Sequence, residues 1–460
     1  MSDEFKPVSI VVPTGCLGAG VKREHVEWGI AQGASAVAAD AGSTDSGPSC
    51  LATGISKLSR DAVKRDMKAI MQAAIPAGVP ILVGTCGTGG TDMGVDWTRD
   101  ITIELARELG MSPRIALLYA EQKKSVILDK VAQGKIRALA PAEELDVATV
   151  EDCDHIVALM GPEPYIAALE VGADIILGGR TTDTAVIAAA ALMRGAGSGA
   201  AWHAAKTAEC GGLCTVNPRD GGVMVTIGAD HFDVCPLTEG NTVTPETISA
   251  HMLYENSDPF RLYEPGCVLD VTDSVYTQLD KRTVRVTGSR TEPMPYTMKL
   301  EGASAGPFQT LMLIGIEDPA VLAEMDFFLD SMSAKLNEIV QTTFPDTDYD
   351  LSFRPYGYNA VSGLPRKGYV PKEVGLLMVV TAATQDLASR IAMALNTSFF
   401  HFPLRRGIPL PSYGFPFSPA HFERGQVYEF KLNHVMEVSD PMECVRTEYL
   451  TVELPEEVSA

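Results

Sequence analysis

The chain has 460 residues, 46% hydrophobic and 21% charged, with a formal net charge of −22. This is the composition of a globular protein long enough for two or three domains and a sizeable core. No apolar run is long enough to span a bilayer, and the acidic balance supplies no basic footprint for nucleic acid, so neither membrane nor nucleic acid is an expected partner.

The N-terminal stretch "MSDEFKPVSIVVPTG" has no basic segment leading into a signal-type apolar run, and a cytoplasmic location is expected. Nine cysteines, irregularly spaced, fit reduced thiols better than a disulfide framework. "SIVVPT" reads as a buried strand, followed by "GCLGAG" and a helix over 23–32. "AVAAD" is the next strand and opens into "AGSTDSGPSCLATG". A helix over 61–77 carries Val63, Met67, Ile70, Met71 and Ala74 at helical spacing. Then come the strand "PILVGT", the loop "CGTGGTDMG", a helix over 97–109, the strand "RIALLYAEQ" and a helix in "KKSVILDKVAQG". "HIVALMG" leads to "PEPYIAALEVG", with Pro162 and Pro164 at a helix start, and then to "ADIILGGRTTDTAVIAAAALMRG", a strand turning directly into an Ala-rich helix.

Short strands alternating with helices predict an α/β domain with a mainly parallel sheet over 1–215. From 216 to 300 the texture changes to a connecting region, in which "CVLDVTDSVYTQLDKRTVRVTGSR" alternates at period two and reads as an antiparallel hairpin. Over 301–460 the order is strand (309–316), helix (319–341), strand (349–355), strand (374–382), helix (385–400) and strand (426–437). That is the βαββαβ order of a ferredoxin-like α+β domain. The Pro-rich segment 403–422 is a long loop inside it, suited to lidding a site or clasping a neighbour.

Ligands of an α/β domain bind beyond the carboxyl ends of its strands. Those loops hold Cys16, Asp40, Ser43, Thr44, Asp45, Ser46, Thr85, Cys86, Thr88, Thr91, Asp92, Glu121, Arg180, Thr181 and Asp183. Turn and N-cap preferences account for most of the small polar residues, but not for Arg180 and Glu121. In "GGRTTDTAV" the glycines let backbone approach a ligand, Thr181 or Thr182 can cap the helix, and Arg180 with the helix N-terminus forms a clamp for a carboxylate or phosphate. Asp183 steadies Arg180 or shares the chemistry, and the opposing reading is an Arg–Asp pair that only tethers the loop. "GTGGTDMG" adds Gly87, Gly89 and Gly90 as a second anion loop before a helix.

"AWHAAKTAECGGL" reads as a helix over 201–213 ending at Gly211 and Gly212. His203, Lys206 and Glu209 share one face, with Cys210 beside Glu209. If that face meets the crevice, Lys206 or Glu209 is a general base and Cys210 a nucleophile or proton donor. The plainer alternative is a solvated ion pair. Asp40 and Asp45 are candidate acid/base groups or ligands of a divalent metal. Walker, nucleophile-elbow and H-E-x-x-H motifs are absent, "CGGLC" has no second cysteine pair for zinc, and His25 and His251 read as ordinary core or surface residues.

The segments "DAGSTDSGP", "GTGGTDMGVDW", "YAEQKK", "MGPEPYIAALEVGADIILGGRTTDTA", "AWHAAKTAECGG", "HMLYENSDPFRLYEPGCVLDVTD", "VRVTGSR" and "FPFSP" together resemble the acyclic terpene utilisation AtuA-like family. The resemblance runs through nearly the whole chain, in a branch with an intact "DAGSTD" loop. In "GGRTTDTA" the second threonine stands where relatives often carry cysteine, which puts a thiol role there in doubt. The resemblance implies a cytoplasmic catabolic enzyme of branched or unsaturated acids and their CoA thioesters, often with a small companion protein. The resulting expectation is a lyase or isomerase, homo-oligomeric, that moves a proton beside a carboxylate or thioester. Arg180, Thr181, Thr182, Gly87, Gly89, Gly90, Ser43 and Thr44 would hold the substrate; Lys206, Glu209, Asp40, Asp45 and Asp183 would act on it. The alternatives are a non-catalytic carboxylate- or acyl-CoA-binding subunit that works with a partner, and a metal-dependent hydrolase.

Overall fold

A computed structural model describes residues 5–364 and 367–454. Residues 1–4 of the N-terminal stretch and the last six of the C-terminal region lie outside the described residues. The chain divides into two compact units, Met1–Ser304 with Phe430–Ala460, and Ala305–Glu429.

The first unit begins with the expected alternation: β1 (Val8–Val12), α1 (Arg23–Ala31), β2 (Ala36–Asp40), α2 (Ser49–Thr53), α3 (Arg60–Ala74), β3 (Ile81–Gly84), α4 (Asp92–Glu108) and β4 (Arg114–Tyr119). Then follow α5 (Lys124–Ala132), β5 (Ile136–Ala138), α6 (Val147–Asp152), β6 (His155–Ala158), α7 (Glu163–Glu170), β7 (Ile175–Gly178), α8 (Asp183–Met193) and α9 (Ser198–Ala208). Strands β1, β2, β3, β7 and β4 lie side by side and parallel. Their near-continuous apolar runs follow from burial on both faces. Val26, Met67 and Leu105, from α1, α3 and α4, pack on one face; Tyr165 of α7 and the alanines of α8 and α9 pack on the other.

Helix α4 starts five residues before the expected 97, at Asp92. The cause is a cap: the Thr91 hydroxyl accepts from the Gly94 N–H at 3.2 Å, so the end of "GTGGTDMG" is already the first turn. β6 does not join the parallel sheet, and pairs antiparallel with residues 300–303 instead.

The 216–300 stretch enlarges the same sheet. It contributes β8 (Val223–Ile227) and β9 (His231–Pro236), then α10 (Pro245–His251), β10 (Arg261–Glu264), β11 (Cys267–Asp270), β12 (Val275–Gln278), β13 (Val284–Thr287) and β14 (Arg290–Pro293). The hairpin around "LDKR" is β12–β13, antiparallel as expected. The ten-stranded order is β12-β13-β9-β8-β1-β2-β3-β7-β4, closed at the far edge by the strand Arg446–Thr451, antiparallel to β4. A parallel centre thus carries antiparallel flanks. β10, β11 and β14 form a separate small sheet.

The second unit holds most of β15 (Thr297–Ile316), with α11 (Pro319–Ala323), α12 (Met325–Thr343), β16 (Tyr349–Tyr356), β17 (Val374–Ala382), α13 (Gln385–Phe400), β18 (Tyr413–Gly414) and part of β19 (His421–Glu437). Its strands lie in the order β16-β17-β15-β19, with β17 antiparallel to β15 and β16. Phe328 and Met332 of α12, Ile391 and Leu395 of α13, and Met312, Ile314 and Met378 of the strands share one core. The helix expected over 319–341 breaks at Glu324, which has ψ near 38°. The Pro-rich segment is anchored by β18, bonded to Gly315 and Ile316.

Candidate active site

A cavity of about 650 Å³ opens in the first unit beyond the carboxyl ends of β2 and β7. Ser43 and Asp45 follow β2; Arg180, Thr182, Asp183 and Thr184 form the turn from β7 into α8; Lys206 and Glu209 come from the end of α9. The lining is completed by Leu159 and the segment 255–264 without Pro259 and Phe260.

The β7–α8 turn fixes the floor. The Thr182 hydroxyl accepts from the Ala185 N–H at 3.3 Å, so Thr182 is the N-cap. Thr181 faces inward, bonded to the Tyr165 hydroxyl at 2.9 Å, and is not on the wall. Arg180 is 5% exposed. Its Nε donates to Glu301 at 2.9 Å, its Nη1 to the Thr181 carbonyl at 3.2 Å, and Asp183 lies 3.7 Å away. Glu301, on β15, also accepts from Thr44 at 3.1 Å and Lys299 at 2.9 Å. Burial alone would raise the Glu301 carboxyl, but Arg180 and Lys299 outweigh it and hold it at about 2. Arg180 is therefore a charged hub committed to protein partners.

Lys206 and Glu209 form a buried, hydrogen-bonded pair on the wall, not the solvated pair of the plainer reading. Burial lifts the Glu209 carboxyl to about 8 despite Lys206, with Asp183 adding to the rise. Glu264 accepts from the Thr184 hydroxyl at 2.8 Å and is lifted to about 7, chiefly by burial. Asp183 is raised as well, by burial against the pull of Arg180. Two wall carboxyls thus hold protons near neutral pH, a condition suited to proton transfer.

These shifts set a stability profile. A carboxyl raised in the folded state holds a proton that the unfolded chain releases above about 4.5. Its stabilisation is complete below that pH and is lost as pH rises to about 7 for Glu264 and about 8 for Glu209. Stability is expected to fall across this window, each group giving a slope of at most about 1.4 kcal/mol per pH unit. In Glu264→Gln, urea denaturation at intervals from pH 5 to pH 8 should show a flatter fall below pH 7. An unchanged slope would mean that Glu264 ionises as an ordinary carboxyl.

The sequence profile of the acyclic terpene utilisation family protein AtuA matches residues 62–216 and 231–406. The chain belongs to the AtuA family. No curated protein and no solved structure matches it. The matched regions contain Arg180, Asp183, Lys206, Glu209, Glu264 and Glu301, whereas Ser43 and Asp45 precede them.

The remaining expected residues distribute unevenly. Ser43 donates to Asp45 at 2.7 Å, and both stand on the wall. Asp40 lies behind it, 5% exposed: one oxygen accepts from the Gly42 N–H at 2.9 Å and the other is buried without a partner. Burial, then the charge of Asp183, raises its proton affinity well above the usual range. Gly87, Gly89 and Gly90 do not reach the cavity. Their missing side chains make room for backbone: a Cβ on Gly90 (φ +67°) would lie 2.4 Å from the Arg180 nitrogen, and one on Gly87 2.4 Å from the Gly94 Cα. The glycines expected to form a second anion loop are thus packed against α4 and Arg180 and lie off this cavity. Glu121 is likewise taken up by structure, accepting from the Asp92 N–H at the start of α4 (2.9 Å) and pairing with His155 (2.6 Å). His203 is buried on Ser289 and Phe232, away from the wall. Burial and Glu209 push the Cys210 thiol upward, which disfavours a thiolate nucleophile.

Sequence reasoning missed Glu264 and Glu301. Among the described residues, no group of three or more His, Cys, Asp or Glu side chains is arranged to hold a metal ion. No helix among the described residues is long and apolar enough to cross a membrane.

Proposed function

We propose that this AtuA-family protein is an enzyme of carboxylic acid catabolism. It would move a proton next to the carboxylate or thioester carbonyl of a small acid or its CoA ester, in hydration or dehydration, double-bond isomerisation or retro-aldol cleavage. The observation that carries the reading is the buried Lys206–Glu209 pair on the cavity wall, which also holds a second carboxyl, Glu264, lifted towards neutral pH. Two carboxyls of shifted proton affinity beside one ammonium supply an acid, a base and a cation within one pocket. Lys206 is the cation best placed to meet a substrate carboxylate, because a protonated Glu209 no longer neutralises it. Arg180 holds the floor in register through Glu301, and Asp183 sits where the α8 N-terminus favours a negative charge. The cytoplasmic location, a homo-oligomer and a small companion protein belong to the same proposal.

The test starts from a thermal-shift screen of di- and tricarboxylates and acyl-CoAs, in which a native-state ligand raises the melting temperature. The ligands found are then incubated with protein in D2O and followed by NMR. Deuterium incorporation beside the carbonyl, or a new hydrated, isomerised or cleaved product, is the expected result. Binding without any of these would favour the alternative of a non-catalytic binding subunit, and no stabilising ligand at all would overturn the carboxylate reading.

A further inference from the structure

His251 ends α10 and is 6% exposed. Its Nε2 is buried with no hydrogen-bond partner, although a buried polar atom is nearly always satisfied. The ring stacks on Tyr254, with centroids 5.8 Å apart and planes 18° from parallel. Helix α10 packs against the 3-10 turn Gly211–Cys214, which directly follows Glu209 and Cys210. Tyr254 in turn precedes Glu255, a wall residue. Through that turn, α10 and its orphaned nitrogen are packed towards the end of α9, where the Lys206–Glu209 pair stands.

The surrounding charges define what this nitrogen can do. Burial and the Lys206 ammonium hold the imidazole at about 4, so the ring is neutral at working pH. On β12, which also packs against α10, the titratable side chain is Tyr276, paired with His203. Tyr254, stacked on the ring, Cys214 of the 3-10 turn and Glu246 in the first turn of α10 are the other titratable side chains on the elements packed here, with Cys210 and Glu255 next along the chain; burial keeps both cysteines as thiols. Lys206 has three N–H donors, and Glu209 accepts one of them. When Glu209 takes up a proton, the ammonium loses its counter-charge. A neutral acceptor then holds it without adding charge of its own.

We infer that His251 is a positioning residue for Lys206: with its proton on Nδ1, its Nε2 lone pair accepts a hydrogen bond from the Lys206 ammonium when Glu209 is protonated. The ammonium is thereby kept at the wall in the state that meets an anionic substrate. This rests on the reading of Lys206 and Glu209 as the working pair.

The test is 15N NMR of the histidine-labelled full chain, with the His251 signal assigned by its loss in His251→Phe. Glu209→Gln mimics the charge of protonated Glu209. In that variant the Nε2 resonance is expected to shift in the direction of an accepted hydrogen bond, relative to wild type well above pH 8, and adding Lys206→Met should abolish the shift. Wild type should show the same shift as pH falls through about 8. An Nε2 resonance indifferent to Glu209→Gln, or one that shifts equally without Lys206, overturns the inference. Should the variants fail to fold, the wild-type titration decides alone, and a flat Nε2 signal across that range overturns it. The readout needs no turnover, so a protein that shows the shift but catalyses nothing would separate failure of the proposed reaction from failure of this pairing.

Discussion

Arg180→Met is expected to destabilise the protein by about 3–5 kcal/mol, the usual cost of stripping one partner from a buried ion pair. The guanidinium lies between Glu301, Asp183 and the buried Asp40, and also satisfies the Thr181 carbonyl. Methionine fills much of the volume but leaves Glu301 with Lys299 as its remaining cation. The double variant Arg180→Met/Glu301→Gln should recover most of the loss, because the residual penalty is mainly that of a stranded charge. Equilibrium urea denaturation of the single and double variants measures both terms. A single-variant loss below about 1 kcal/mol, the range of exposed pairs, would show that Arg180 is not the hub described. The pH dependence has a definite sign: Glu301 is held at about 2, below the 4.5 of an ordinary glutamate. Its contribution is present above about pH 4.5 and is lost as pH falls towards 2, so wild type and Glu301→Gln should converge in acid.

The second large effect is expected at Glu209. If it moves the proton, Glu209→Gln lowers turnover of the identified substrate by about 10²–10⁴-fold, the usual worth of a general acid or base. Glutamine keeps the shape and a polar contact to Lys206, so substrate affinity should stay within a few-fold. The wild-type rate should show an inflection near pH 8, where Glu209 ionises, and the variant should lack it. Turnover and its pH profile unchanged in Glu209→Gln would remove Glu209 from the chemistry while leaving the cavity as a binding site.

The sequence made the strand-end crevice legible because βα alternation dictates where parallel strands release their loops. Arg180 and Asp183 were visible as charges at a strand–helix junction, and Lys206 and Glu209 as neighbours on one helix face. What the sequence could not show was where those charges look. Arg180 reads as a free clamp until Glu301, 121 positions along the chain, is seen beside it. Glu301 sits in a strand whose neighbours give no sign of a buried cation. Glu264 did leave a trace: it alternates with Leu262 in "RLYE", and both turn inward while Tyr263 points out. An acid at an inward strand position is a signal that periodicity alone can supply. The glycines of "GTGGTDMG" announce that something comes close, but not whether it is ligand or backbone. His251 carried no signal at all, because its meaning lies in a nitrogen that finds no partner.

The alanine helix α8 has a consequence for how this site can change. It is covered by sheet on one side and by α7 and α9 on others, and Ala185, Ala188, Ala189, Ala190 and Ala191 are each at most 1% exposed. A larger residue at any of these positions pushes the helix along its axis or off the sheet, and its first turn, which is the cavity floor, moves with it. Variation in ligand preference among relatives has little room to arise from below. The tolerant ground is the rim: Leu253, Tyr254, Phe260 and Tyr263 are 44–77% exposed and flank or line the wall segment. Divergence at the rim over a fixed floor would let ligand preference change while the proposed proton-handling pair stays in place.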